Sequence, residues 1–118
     1  MKKLYLLLIT LFIAGWFNSI NPQDILSRDS SHSVELKQNF PNPFNPSTQI
    51  EYYLPYRTYI EINIYNILGI KFQTLIQTEQ EKGWYKVEFN AEDLPAGLYV
   101  YEILTPLFKQ MRKMIYVK

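Results

Sequence analysis

The residues that could carry acid–base or nucleophilic chemistry are few in this sequence. His32 is the only histidine, and it lies among serines at residues 30–33. Nucleophilic catalysis needs a hydroxyl or thiol, a base beside it and a third group that orients the base. Neighbours in an extended polar segment cannot hold that geometry, so we interpret His32 as a solvated side chain.

The acidic residues offer no catalytic pair either. Glu92 and Asp93 are adjacent, whereas glycoside hydrolysis needs two carboxylates about 5–10 Å apart across a cleft. Asp93 precedes Leu94 and Pro95 and is typical of a residue whose side chain starts a turn. The sequence contains no cysteine, no calcium-loop motif and no phosphate-binding glycine loop. We therefore predict that the protein is not an enzyme, with no cofactor, no metal and no small-molecule substrate.

The charge balance argues against nucleic acid as a partner. The sequence has 12 Lys and Arg against 11 Asp and Glu, a formal net charge of +1. A nucleic-acid binder needs a basic surface that displaces counterions from phosphates. Without disulfides, a small domain must rely on apolar packing. The aromatic fraction of 16% is the expected means, since each aromatic side chain buries about 150–250 Å².

The N-terminal residues have the pattern of a secretory signal. Lys2 and Lys3 precede an uncharged, mainly apolar run over residues 4–17. A transmembrane helix needs about 20 apolar residues, so this run is short for an anchor and suits a signal peptide. We predict a Sec signal peptide over residues 1–20, with a retained membrane anchor as the alternative. The polar residues 21–33 are predicted to be a linker.

The remaining residues, 34–118, are predicted to form one all-β domain. Short segments rich in Ile, Val, Tyr and Phe are separated by Pro, Gly, Asn or Asp, which is typical of a β-sandwich. We predict an immunoglobulin-like antiparallel β-sandwich of about seven strands. The predicted strands cover residues 34–38, 48–54, 59–65, 70–77, 83–89, 98–105 and 107–117.

Period-2 alternation assigns the faces of these strands. The clearest case is the third, which places Ile60, Ile62 and Ile64 inward and Glu61 and Asn63 outward. This is the cleanest period-2 alternation in the sequence.

The chain around the fourth strand departs from simple alternation. Residues 66–69 (NILG) are predicted to form a turn in which Gly69 takes a positive φ. Phe72 and Leu75 have opposite parity, so a β-bulge is needed to bury both.

Two segments go beyond what a β-sandwich requires. Residues 39–48 read NFPNPFNPST, and their prolines cannot pair in a central strand because proline lacks an N–H donor. We expect a rigid extended arm that Phe40 and Phe44 anchor on the sandwich. The second segment is residues 113–118, KMIYVK, predicted to end the last strand.

These segments, with INIYNILG at 62–69, GWY at 83–85 and LPAGLYVY at 94–101, resemble the type A C-terminal sorting domain of the type IX secretion system. The resemblance covers residues 36–118. It implies a non-catalytic module that is recognised by the outer-membrane type IX translocon. It also implies that a sortase-like protease cuts in the linker before Val34.

The resemblance further implies a location and a set of recognition residues. The protein would pass through the periplasm and reach the cell surface or the extracellular space, contacting membrane only transiently through its signal peptide. Only residues 21–33 then separate the signal from the sorting domain. The candidate recognition residues are Asn39, Pro41, Asn42, Pro43, Gly69, Gly97, Tyr99, Lys113, Val117 and Lys118.

An alternative interpretation concerns the middle of the domain. The segments at 62–69 and 94–101 also resemble the immunoglobulin-like domain of flagellar hook-capping proteins, which implies a structural or binding module. Such a module would need neither a signal peptide nor the proline-rich arm.

Overall fold

The computed structural model describes residues 33–118, which form seven strands and no helix. The predicted signal peptide, nearly all of the predicted linker, and His32 lie outside the described residues. No helix in the described part of the chain is long and apolar enough to cross a membrane. The strands are β1 (Glu35–Leu36), β2 (Ser47–Leu54), β3 (Thr58–Tyr65), β4 (Lys71–Gln80), β5 (Gly83–Asn90), β6 (Gly97–Thr105) and β7 (Phe108–Tyr116).

The strands form two antiparallel sheets, which confirms the predicted β-sandwich. One sheet has the order β1-β2-β5 and the other the order β4-β3-β6-β7. β4 continues to Gln80 instead of ending at Gln77, because Gln80 pairs with Thr58 at the start of β3. In constant-type immunoglobulin domains the fourth strand lies beside the fifth, whereas here β4 lies beside β3. The immunoglobulin-like topology stays a prediction.

The core lies between the sheets and follows the predicted alternation. The inward residues of β3, Ile60, Ile62 and Ile64, are all 0% exposed. On β2, Tyr52 is buried beside the ring of Tyr85 on β5, at 5.4 Å between ring centroids. Aromatic packing of this kind supplies much of the buried area that a cysteine-free domain of this size requires.

The outer face of the second sheet carries a buried polar group that alternation does not predict. Asn63 was expected to face solvent, yet it is 1% exposed, and Glu102 on β6 is 2% exposed. Asn63 Nδ2 donates to Glu102 Oε1 at 3.0 Å, and the hydroxyl of Tyr65 donates to the same oxygen at 2.9 Å. Lys109 Nζ lies 3.5 Å from Glu102 Oε2. A carboxylate tolerates burial when it is paired in this way.

The bulge predicted in β4 is confirmed, and the strand contains a second one. The β3–β4 register shifts after Ile62 and again after Ile64, which leaves Leu75 and Phe72 without partners on β3. Leu75 packs against the core, and the ring of Phe72 lies 5.8 Å from that of Tyr99. Each extra residue changes the parity of the strand. Leu75 thereby reaches the core, whereas Phe72 stays 40% exposed, so the expected burial of both side chains holds only for Leu75.

The β3–β4 turn is held by Asn66. Its side-chain oxygen accepts the N–H groups of Leu68 at 2.9 Å and Ile70 at 3.1 Å. Gly69 adopts φ +78°, as predicted. An L-residue in this left-handed region costs about 1–2 kcal/mol, so the turn favours glycine on backbone grounds.

Replacing Gly69 with alanine is expected to lower the free energy of unfolding by about 1 kcal/mol. A Cβ at this position would meet no atom within 4 Å, so the cost belongs to the backbone alone. Urea denaturation measures it. Gly69→Asn is the matched control. Its free energy of unfolding should fall less than that of Gly69→Ala, since asparagine tolerates the left-handed region. An alanine variant as stable as the wild type would contradict this account of the turn.

Candidate recognition surface

The proline-rich segment at residues 39–46, called the arm below, bridges the two sheets. Its start pairs with β2, where Phe40 exchanges two main-chain hydrogen bonds with Gln49, at 3.0 and 2.9 Å. Its end pairs with β7, where Phe44 forms a parallel bridge to Tyr116. Between these contacts the chain bends at residues 41–43. The expectation of a single extended segment is therefore wrong, because the arm must pass from one sheet to the other.

The arm covers the C-terminal half of the outer edge of β7. Phe44 N–H donates to the carbonyl of Ile115 at 2.9 Å, and Val117 N–H donates to the carbonyl of Phe44 at 3.0 Å. Asn42 Oδ1 accepts the N–H of Ile115 at 3.0 Å. An edge strand normally leaves these groups unpaired. The arm satisfies them and joins the first and last motifs of the domain.

Only one of the two expected aromatic anchors is an anchor. Phe44 is 1% exposed, and its ring stacks on Tyr116 at 5.3 Å, whereas Phe40 is 80% exposed. Directly paired residues point to the same face of a sheet. Phe40 pairs with the exposed Gln49 and Phe44 with the buried Tyr116, so the partner decides which ring is buried.

Asn39 organises the start of the arm from a buried position. It is 2% exposed, and its Nδ2 donates to the carbonyl of Pro41 at 3.1 Å and to Thr48 Oγ1 at 2.9 Å. Its N–H donates to the hydroxyl of Tyr101 at 2.8 Å, and that hydroxyl donates to the carbonyl of Lys37 at 2.6 Å. Asn39 therefore holds the arm in place and presents no side chain to a partner.

Six of the other candidate residues are exposed, on the arm or at the end of the chain: Pro41, Asn42, Pro43, Lys113, Val117 and Lys118. Within residues 33–118, neither Lys113 nor Lys118 lies within 4.0 Å of a carboxylate. The side-chain amide of Gln38 donates to the carbonyl of Lys113 at 2.7 Å. The hydrogen bonds of the arm to Ile115 and Val117 thus hold its exposed proline and asparagine side chains against the segment that contains both lysines.

The remaining candidates lie at the same end of the sandwich. Gly97 pairs with Tyr116, and Tyr99 is buried with its hydroxyl donating to the carbonyl of Pro95 at 2.5 Å. The residues around Gly97 and those of the β3–β4 turn line a cavity of about 180 Å³. Gly69 lies in that turn. Motifs that are far apart in sequence therefore meet at one pole of the domain.

The hydroxyl of Tyr101 links the arm to β6, and its environment changes its acidity. Burial raises the pKa of Tyr101 to about 12, although the N–H of Asn39 and the charge of Arg112 act in the opposite direction. Below pH 10 the tyrosine is neutral in both the folded and the unfolded chain. Above pH 10 the unfolded chain loses the proton first, so stability falls as the pH rises towards about 12.

Tyr101→Phe is expected to lose about 1–3 kcal/mol of unfolding free energy at neutral pH, because the buried N–H of Asn39 loses its acceptor. Its stability should then fall less steeply than that of the wild type between pH 10 and about 12. Urea denaturation across this pH range tests both effects. Equal slopes for the two proteins would contradict the role given to Tyr101. Part of the slope should remain, since the pKa values of Tyr52 and Tyr99 are also raised by burial.

The acidic residues of the described part of the chain are dispersed, and Glu92 and Asp93 lie in the turn after β5. No three His, Cys, Asp or Glu side chains among residues 33–118 lie in a group that could hold a metal ion. Asp93 was expected to start this turn by accepting a backbone N–H with its side chain. That hydrogen bond is made by Asn90 instead, whose side-chain oxygen accepts the N–H of Glu92 at 2.9 Å. The turn hydrogen bond runs from Leu94 N–H to the carbonyl of Ala91. The acidic pair therefore lies in a turn that neighbouring residues form.

The fold and this surface define a small β-sandwich module whose N-terminal arm and C-terminal strand are bonded together. Residues 38–118 match the family described as the secretion system C-terminal sorting domain. The match covers more than half of the chain, and the protein belongs to this family. It supports a type IX sorting role and export to the cell surface or extracellular space, and it does not favour the hook-capping alternative. Comparison with curated proteins and with solved structures gives no match.

Proposed function

We propose that this protein is a non-catalytic sorting module that directs export across the outer membrane by the type IX secretion system. The outer-membrane translocon would recognise the arm together with residues 113–118. A sortase-like protease would remove the domain by cutting within residues 21–33. In this proposal the precursor reaches the periplasm through the signal peptide at residues 1–20, and the folded domain is recognised there.

The pairing of the arm with the last strand is the observation that carries the proposal. Asn42 and Phe44 bond directly to Ile115 and Val117, so the two family motifs form one surface. A partner that reads such a surface binds a preorganised shape and avoids the entropic cost of ordering two separate segments. The same bonds explain how a recognition signal can depend on a folded domain as well as on its terminal residues.

The experiment is a fusion of a periplasmic fluorescent reporter, bearing its own Sec signal, to residues 23–118. It is expressed in a bacterium that has the type IX system and in a strain without the translocon. We expect fluorescence at the surface or in the medium of the first strain, and retention in the periplasm of the second.

Two outcomes would count against the proposal. Reporter that is folded but held in the periplasm of both strains would leave only a β-sandwich module with another binding role. Release that does not depend on the translocon would point to a different export route. The reporter with its Sec signal alone is the control for leakage.

A further inference from the structure

The arm leaves part of the outer edge of β7 uncovered. The ladder to β6 is continuous from Gly97–Tyr116 to Thr105–Phe108, so main-chain groups on β7 alternate between β6 and the outer side. Ile115 turns its N–H and C=O outward to the arm, and by the same alternation Lys109, Met111 and Lys113 turn theirs outward. Within residues 33–118, only the carbonyl of Lys113 among these has a partner, the amide of Gln38. Residues 109–113 are called the open edge below.

A groove borders β7 next to the open edge. This groove of about 620 Å³ lies between β7 and β1 and is lined by Val34, Glu35, Leu36, Lys37, Gln38, Gln110 and Arg112. Arg112 joins its two sides, since its Nε donates to the carbonyl of Leu36 at 2.6 Å. A paired strand lies about 4.8 Å from its neighbour, and Gln110 and Arg112, which line the groove, alternate along β7 with the residues of the open edge. The arm already shows, at Phe44 on the same edge, that the outward main-chain groups of β7 pair with another segment.

We propose that the open edge binds an acidic, extended segment of the export machinery by β-strand addition. This inference rests on the proposed sorting function and specifies how the domain is recognised. Side chains on neighbouring strands face one another in register. Lys113 has no carboxylate within 4.0 Å among residues 33–118, and Lys109 is 60% exposed although it also pairs with Glu102. With Met111 between them, these outer-face residues select a segment with the pattern acidic–x–apolar–x–acidic. The pattern is symmetric, so it fits a strand of either direction.

The charges favour a partner segment over a second copy of this chain. Two open edges paired antiparallel about Met111 would bring Lys109 of each copy opposite Lys113 of the other, and like charges placed opposite each other destabilise a sheet. Arg112 adds positive charge to the groove, against the carboxylate of Glu35, whereas the ammonium of Lys37 lies 3.9 Å from Glu51. An acidic segment would instead place carboxylates opposite the lysines, and it would pair the outward main-chain groups of the open edge at the same time.

Met111→Pro is the discriminating variant. The N–H of residue 111 points away from β6, so proline removes one donor from the open edge and none from the β6–β7 ladder, as in natural edge strands. Met111→Thr keeps the donor and is a good strand former. Both variants should fold with unfolding free energies within about 1.5 kcal/mol of the wild type, which thermal unfolding of the full chain verifies.

The binding test titrates the purified full chain with the peptide acetyl-Glu-Thr-Val-Thr-Glu-amide and follows backbone amide shifts by NMR. We expect saturable shifts at Lys109, Met111 and Lys113, and an affinity about tenfold higher than for the peptide with lysine at both ends. Met111→Pro should lose binding and Met111→Thr should keep it. The absence of saturable shifts, equal affinity for the two peptides, or a proline variant that binds like the wild type would overturn the proposal.

The export test uses the full chain with an epitope tag after Gln23 in a type IX-competent bacterium. We expect Met111→Pro to reduce surface material at least about tenfold relative to Met111→Thr. Equal export of the two variants would overturn strand addition while leaving the sorting function intact. Failure of the wild type itself to be exported would count against the sorting function, and the peptide titration would still decide whether the open edge accepts an acidic strand.

Discussion

Replacing Phe44 with alanine is expected to lower the free energy of unfolding by about 3–5 kcal/mol and to abolish export. The ring is 1% exposed, stacks on Tyr116 at 5.3 Å and contacts Phe89 edge-on at 6.0 Å. Its removal leaves a cavity where the arm meets β7, so the arm should detach from that edge. The total free energy of unfolding of a domain of this size is about 5–15 kcal/mol, so this loss is a large fraction of its stability.

Phe40→Ala is the matched control, because both phenylalanines belong to the same motif and only their burial differs. Phe40 is 80% exposed, so its removal should change stability by no more than about 0.5 kcal/mol. Denaturant unfolding and export of the reporter fusion measure both variants. If Phe44→Ala were as stable as Phe40→Ala, the packing of the arm would not support the surface proposed here.

Deleting residues 113–118 is expected to prevent stable folding as well as export. The deletion removes Met114, which is 0% exposed, and Tyr116, which is 3% exposed. Truncating a buried side chain of this size costs about 2–5 kcal/mol, and the pairing of β7 with the arm is lost at the same time. The sum approaches the total stability of a small domain. A block in export by this deletion therefore does not by itself identify a recognition signal.

The double variant Lys113→Gln, Lys118→Gln separates recognition from folding. Both side chains are exposed, so stability should stay within about 0.5 kcal/mol of the wild type. We expect export of the reporter fusion to fall nonetheless, because the terminal charges belong to the proposed recognition surface. Normal export of a folded double variant would show that the charges of Lys113 and Lys118 are not needed for recognition.

Local sequence patterns determined the strands and the core of this protein. Apolar residues recur with period 2 in β3, so that Ile60, Ile62 and Ile64 must share one face of a strand. The opposite parity of Phe72 and Leu75 required a bulge, and the β3–β4 register contains one at each residue. A positive φ at Gly69 followed from the turn sequence. Each of these inferences depends on the geometry of a few consecutive residues, which the sequence contains.

The motifs of the recognition surface were also visible in the sequence, although their arrangement was not. The unusual prolines of residues 41–46 and the final segment at 113–118 marked both ends of the domain. Nothing local indicates that Phe44 pairs with Tyr116, or that Asn39 is buried against Thr48. These are contacts between residues that the chain brings together only after both sheets have formed.

Tertiary structure also decided the burial of side chains whose local pattern is uninformative. Phe40 and Phe44 occupy similar positions in a proline-rich repeat, yet pairing with Gln49 exposes one and pairing with Tyr116 buries the other. Asn63 lies on an outward face and is nevertheless covered, because Glu102 on the next strand accepts its hydrogen bond. Period and composition fix which way a side chain points along its own strand. The neighbour that packs against it comes from a distant part of the chain, and only the folded topology supplies that neighbour.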